Sequence, residues 1–156
     1  MNRIRDWLYV GKYSETLQPE YLRRNGIGAM LLLAAPVSYP GIESLYLMVE
    51  DGVPLHPVLL EKGIRFARAQ KADGRTVLVA CGAGISRSST FATAVLKEEE
   101  NLSLVDAFRE VFIAHPYALP HPELWKSLCA YYGENTPFIS VWKRFRNIHL
   151  DLDERG

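Results

Sequence analysis

Cysteine is scarce in this chain: only Cys81 and Cys129 occur, far apart and with no Cys-x-x-Cys pair. That argues against a disulfide framework and against a structural zinc site built on thiolates. No charge of one sign dominates either, since 18 Lys and Arg balance 18 Asp and Glu. No overall field therefore recruits nucleic acid or an anionic membrane, and any anion recognition must be local. Long apolar runs are missing as well. The first seven residues lack an apolar core of signal-peptide length, and the longest nearby run, residues 29–37, falls far short of a membrane span and contains Pro36. The expectation is a cytoplasmic protein with no integral membrane segment, a compartment that keeps Cys81 reduced. The four histidines, His56, His115, His121 and His149, show no metal-ligand spacing. They read as structural or surface groups, and no metal or cofactor is expected.

What the chain does carry is one dense stretch, Val77-Leu78-Val79-Ala80-Cys81-Gly82-Ala83-Gly84-Ile85-Ser86-Arg87-Ser88-Ser89. The apolar residues before Cys81 read as a buried parallel strand and residues 87–96 as a helix, so the tight loop between them begins at Cys81. A strand-loop-helix unit of this kind can hold an anion. Gly82 and Gly84 let the backbone turn its N–H groups inward, the helix N-terminus adds partial positive charge, and Arg87 offers a planar fork of donors matched to two phosphate oxygens. The cradle would comprise Gly82, Ala83, Gly84, Ile85, Ser86 and Arg87. A thiol at its mouth sits in a field that favours the thiolate, so Cys81 reads as a nucleophile aimed at a tetrahedral anion. The chemistry implied is phosphoryl transfer through a cysteinyl-phosphate intermediate. Without its flanks, Cys81 would read as a small buried hydrophobe closing a strand.

Cys81-x5-Arg87-Ser88 resembles the signature of the cysteine-dependent protein tyrosine phosphatases, and Ala83-Gly84-Ile85-Ser86-Arg87-Ser88 resembles its dual-specificity branch. The resemblance covers about residues 6–132. It implies one α/β domain with a largely parallel sheet flanked by helices, a catalytic unit over residues 1–133 and an extension over 134–156. The activity implied is metal-independent hydrolysis of phosphotyrosine and phosphoserine or phosphothreonine in a phosphorylated protein or peptide. In the family the general acid is an aspartate in a loop about thirty residues before the nucleophile. Asp51 stands thirty before Cys81, with Glu50 as the second candidate. Such an acid is needed because an alkoxide or phenoxide leaves poorly unless protonated as the P–O bond breaks. Taken alone, Asp51-Gly52 is also a common turn dipeptide. The Ser88 hydroxyl, by resemblance, assists loss of the thiolate when the intermediate is hydrolysed.

One position departs from the family pattern: the His that usually precedes the cysteine, and that helps organise the loop, is Ala80 here. The competing reading is a phosphate-binding pseudophosphatase that recognises phosphoproteins without turnover. Within the superfamily, enzymes acting on inositol phospholipids tend to place lysines inside the loop, and this loop has none. No segment resembles the extra recognition loop of tyrosine-only enzymes, so a shallow pocket open to phosphoserine and phosphothreonine is implied.

Elsewhere, patterning gives a short strand over 8–10, a helix over 19–24 closed by Asn25-Gly26, a central parallel strand over 29–33 and a strand over 44–49. If that last strand is a parallel neighbour of the one ending at Cys81, Asp51 faces the nucleophile. His56-Pro57 opens a helix running to about Asp73, Ser103 opens another with Leu104, Phe108 and Val111 on one face, and a last core helix carries Leu124, Leu128 and Tyr131. Residues 97–100 read as a solvated helix end and Cys129 as core. In the extension, Phe138, Trp142, Phe145 and His149 recur at helical spacing beside Lys143, Arg144 and Arg146. That pattern suits a helix packed on the domain, or a basic amphipathic helix touching a membrane or partner.

Overall fold

In a computed structural model that describes residues 1–149, the chain runs β1 (Asn2–Arg5), β2 (Leu8–Lys12), α1 (Tyr13–Thr16), α2 (Pro19–Arg24), β3 (Ile27–Leu32), β4 (Glu43–Tyr46), α3 (Pro57–Ala72), β5 (Thr76–Cys81), α4 (Arg87–Glu100), α5 (Leu104–Ala114), α6 (Pro122–Tyr132) and α7 (Phe138–Phe145). The sheet order is β1-β2-β5-β3-β4. β2, β5, β3 and β4 are mutually parallel, and β1 alone is antiparallel, on β2. This is the largely parallel α/β domain expected. β1 escaped the sequence pattern because only Ile4 in it is buried, and its Arg3 and Arg5 are what a short, charged edge strand carries.

Side-chain alternation along β5 divides the core in two. Val77, Val79 and Cys81 face one cluster with α3, α4, α5 and α6. Leu78 and Ala80 point the other way, into a smaller cluster with Leu22 of α2, Ile27, Met30, Leu32 and Ile42. α4 is the spine of the larger cluster: every residue from Ser88 to Leu96 is buried, Phe91, Ala92, Ala94, Val95 and Leu96 among them.

The sequence-based neighbour assignment for β4 needs correction. β4 pairs with β3, not with β5, and is shorter than expected. Leu47 N still donates to Leu32 O (2.9 Å), after which the chain leaves the sheet. Because all these strands are parallel, their carboxyl ends share one side, and residues 47–51 cross that end of β3 to reach the end of β5.

Two further expectations change. Tyr131 is 36% exposed, and Trp125, 1% exposed, fills the core beside Leu124 and Leu128. The charged end of α4 is tied down rather than freely solvated: Glu99 accepts from Arg68 (2.9 Å) and Lys71 (2.7 Å), Glu100 from Arg5 (2.7 Å), and Glu98 from the Tyr132 hydroxyl (2.6 Å). Those hydrogen bonds hold the Glu99 and Glu100 carboxyls below the usual carboxylate range. α7 lies on the domain, with Val141 and Phe145 buried and Phe138 set edge-on to Phe108 (ring centroids 5.8 Å apart). The remainder of the extension, residues 150–156, lies outside the described residues. No helix among the described residues is long and apolar enough to cross a membrane.

Candidate active site

Cys81 closes β5 and is 2% exposed; α4 begins at Arg87, after five intervening residues. The loop between them is shaped by where its carbonyls go. Gly82 O accepts from Tyr13 N (3.3 Å), Ile85 O from Leu119 N (3.0 Å) and Ser86 O from Thr90 N (3.0 Å). Gly84 O meets His115 Nε2 at 2.5 Å. The peptide bonds of the loop are trans, so the N–H of each following residue points opposite to the carbonyl it shares a plane with. Holding these carbonyls outward therefore turns the amides of Ala83, Ile85, Ser86 and Arg87 toward the loop interior. Among the described residues no protein acceptor meets them, which is what an oxyanion cradle requires.

Gly84 is needed for two reasons. Its φ is +72°, and a Cβ there would lie 3.0 Å from Gly11 O, where the loop rests on the β2–α1 junction. Arg87 closes the other side. Its Nη1 donates to Leu33 O (3.1 Å) and Val49 O (3.0 Å), carbonyls just past the end of β3 and in the segment after β4. Nη2 is left beside Gly82, 3.1 Å from where a Cβ on that glycine would stand. The guanidinium is thus fixed by one nitrogen and free to offer the other to the loop.

Ser86 joins three segments. Its hydroxyl donates to Asp51 Oδ1 (2.7 Å) and accepts from His121 N (2.9 Å). The His121 ring caps α6 by accepting from Glu123 N (3.1 Å), and its Nε2 lies 3.6 Å from where a Cβ on Gly52 would be. Beneath the loop, Cys81 Sγ and Ser88 Oγ are hydrogen-bonded at 3.1 Å, both buried.

The nucleophile candidate, the loop, Arg87, Ser88 and Asp51 are therefore brought together. Cys81, Arg87, Ser88 and the loop form one unit, and Asp51 reaches it through Ser86. Glu50, the second candidate acid, is exposed, and the loop bonds its neighbour instead. Ala80, 2% exposed, looks into the smaller core and away from Cys81's side of the sheet.

Other contributors were missed. His115 and His121 both touch the loop, Asn2 Nδ2 bonds His115 Nδ1 (2.7 Å), and the carbonyls of Leu33 and Val49 anchor Arg87. One signal was available: His56-Pro57 and His121-Pro122 each open a helix with the His ring accepting the amide two residues on. A backbone anchor leaves no trace in residue identity. Among the described residues no group of three or more His, Cys, Asp and Glu side chains is arranged to hold a metal ion.

Comparison with known proteins agrees with this fold. Residues 8–134 match the family described as the dual specificity phosphatase catalytic domain. Dual specificity protein phosphatase 12 from rat is 32% identical over 123 residues, covering 74% of this chain and 36% of that protein. The chain thus spans about a third of the length of the first curated relatives it matches, 36% and 37%. Human dual specificity phosphatase 28 is nearer in size: 31% identical over 134 residues, covering 83% of this chain and 76% of the relative. Its crystal structure superposes with a TM-score of 0.78 at 29% identity, covering 84% of this chain and 94% of that one. A mouse protein solved in complex with zinc tungstate gives the same TM-score, 0.78, at 30% identity over 83% of this chain and 84% of that one.

Proposed function

Because the chain belongs to the dual specificity phosphatase catalytic-domain family, we propose that it is a metal-independent phosphatase that hydrolyses phosphotyrosine and phosphoserine or phosphothreonine in proteins through a cysteinyl-phosphate intermediate. The observation that carries this reading is the convergence of a buried thiol, inward backbone amides, an anchored guanidinium and a carboxylate on one loop. In the first step Cys81 Sγ attacks phosphorus. The loop amides and Arg87 hold the equatorial oxygens, and Asp51 protonates the departing oxygen as the P–O bond breaks. In the second, the Asp51 carboxylate takes a proton from the attacking water. The S–P bond breaks, and the Ser88 hydroxyl donates to the sulfur as it regains its charge.

The rim supports a protein substrate over a small polar ester. Exposed Met48 and Val53 stand on the Asp51 side and exposed Ile85, Tyr117 and Leu119 on the other, so residues flanking a phosphorylated side chain meet apolar contacts. The loop offers no lysine to a second phosphate. Tungstate, present in the mouse relative's structure, has the tetrahedral shape such a cradle would take. A thiol that must stay reduced suits the cytoplasm. Phe138 of α7 packs on Phe108 of α5 and Trp125 of α6, and Val141 and Phe145 are buried, so we read α7 as a packing helix.

The test is hydrolysis of p-nitrophenyl phosphate in EDTA by the purified chain and by Cys81→Ser. We expect turnover without metal in the wild type and none above background in the variant, which should still bind tungstate. Retained turnover in Cys81→Ser, or dependence on added metal, would sink the covalent mechanism. Tungstate binding by a wild type that turns over nothing would make the chain a phosphoprotein-binding module.

A further inference from the structure

We propose that His115 is a positioning residue for the phosphate loop: its Nε2–H holds the Gly84 carbonyl outward and so aims the Ile85 amide at the bound oxyanion, with Asn2 securing the tautomer this needs. The inference rests on reading the loop as an oxyanion cradle. Four loop carbonyls are held, and three of their partners are backbone amides fixed by chain connectivity. The fourth partner is this side chain, brought from the C-cap of α5, 31 residues away in sequence.

The ring's protonation follows from what surrounds it. A carbonyl oxygen can only accept, so at 2.5 Å from Gly84 O the Nε2 must carry hydrogen. In the neutral ring Nδ1 is then bare, and Asn2 Nδ2 donates to it at 2.7 Å. Both ring nitrogens are satisfied only in this form. His115 is 6% exposed, and burial pushes its pKa below the ordinary histidine value, so the neutral ring is the resting state. The ionic groups facing it are the Met1 amine and Glu15, which pair with each other, and Lys12; the Tyr117 ring stands 6.3 Å away. Protonating the ring would turn an N–H toward the Asn2 amide donor and break that arrangement.

A residue that merely filled space would be replaceable by any side chain of similar bulk, whereas a donor aimed at one carbonyl is replaceable only by another donor. The experiment is therefore calorimetric titration with sodium tungstate, which needs no turnover, on the wild type, His115→Leu and His115→Gln. Gln places an amide N–H near the position of Nε2. We expect His115→Leu to weaken tungstate affinity roughly tenfold and His115→Gln by less than about threefold, the difference being one hydrogen bond to a buried carbonyl. Nitrogen NMR of the wild-type imidazole should show the Nε2–H tautomer at neutral pH. A folded His115→Leu that binds tungstate as the wild type does, a Gln variant as weak as the Leu variant, or an Nδ1–H tautomer would each overturn the proposal. If His115→Leu does not fold, the Gln titration and the tautomer decide. An enzymatically silent wild type whose tungstate binding still depends on the His115 donor would refute the phosphatase reading and leave the positioning role standing.

Discussion

The wall of the site that carries Cys81 and the wall that carries Asp51 are held by different kinds of interaction. Cys81 ends an inner strand, is 2% exposed, and leads into a loop whose held carbonyls are met by β2–α1, α4, α5 and the loop before α6. Asp51 stands outside any strand or helix, is exposed, and meets the loop through the Ser86 hydroxyl alone among the contacts described. An oxyanion cradle works only if its dipoles are oriented before charge arrives, so its backbone must be fixed. In the mechanism proposed here Asp51 has to follow leaving oxygens carried on side chains of different length, which favours a segment with few restraints. The walls are coupled at two points, Ser86 Oγ to Asp51 and Arg87 Nη1 to Val49 O.

The largest effect that separates the walls should come from Asp51→Asn. We expect a loss of about 10²-fold in kcat for alkyl phosphates, whose leaving groups need a proton, and a smaller loss for p-nitrophenyl phosphate. Glu50→Gln should stay near wild type on both. The reverse pattern, read by steady-state kinetics on the two substrates, would move the acid to Glu50. Next in size is Ser86→Ala, which removes a coupling but no loop amide. The expected loss is roughly tenfold on alkyl phosphates, from losing one charge-assisted hydrogen bond, with tungstate affinity nearly unchanged. If tungstate affinity falls as far as turnover, the two walls are not separable in the way described.

The smallest effect is on stability. His115 has a lowered pKa in the fold, so the unfolded chain takes up its proton first as pH falls. Its contribution is complete above about 6.5, the unfolded value, and is lost as pH drops toward the folded one. Glu99 and Glu100 are also lowered, but from an ordinary value of 4.5, so their contribution fades only below that. Urea midpoints should therefore decline in two stages, the first setting in below about pH 6.5 and the second below 4.5, and His115→Gln should flatten the first stage alone. A first stage unchanged in that variant would assign it to another group.

Much of the Cys81 wall was legible because its logic is local. A strand pattern, glycines at two loop positions, an arginine six residues after the cysteine and a buried helix are all consecutive in the chain, and periodicity reports them directly. The helix starts at Pro19 and Pro57 were legible for the same reason: a proline at the first turn fixes φ and needs no N–H partner. Asp51 came from an offset that the family resemblance supplied, and the strand neighbour imagined for it was wrong, since β3 lies between β4 and β5. The offset survived the error because parallel strands bring their carboxyl ends to one side whatever their order.

By itself, then, the sequence determined the strand-loop-helix unit, with a cysteine at its mouth and an arginine at its end, because each depends on residues adjacent in the chain. Only the tertiary structure decided what holds that unit in working shape. Tyr13, His115 and Leu119 fasten the loop carbonyls, Leu33 and Val49 fasten the guanidinium, and Ser86 bonds Asp51. Several of these partners are backbone atoms, which every residue possesses alike. His115 is distant in sequence and differs from the other histidines only in where α5 delivers it. Residue identity says what a side chain can donate or accept; folding decides which carbonyl lies within its reach.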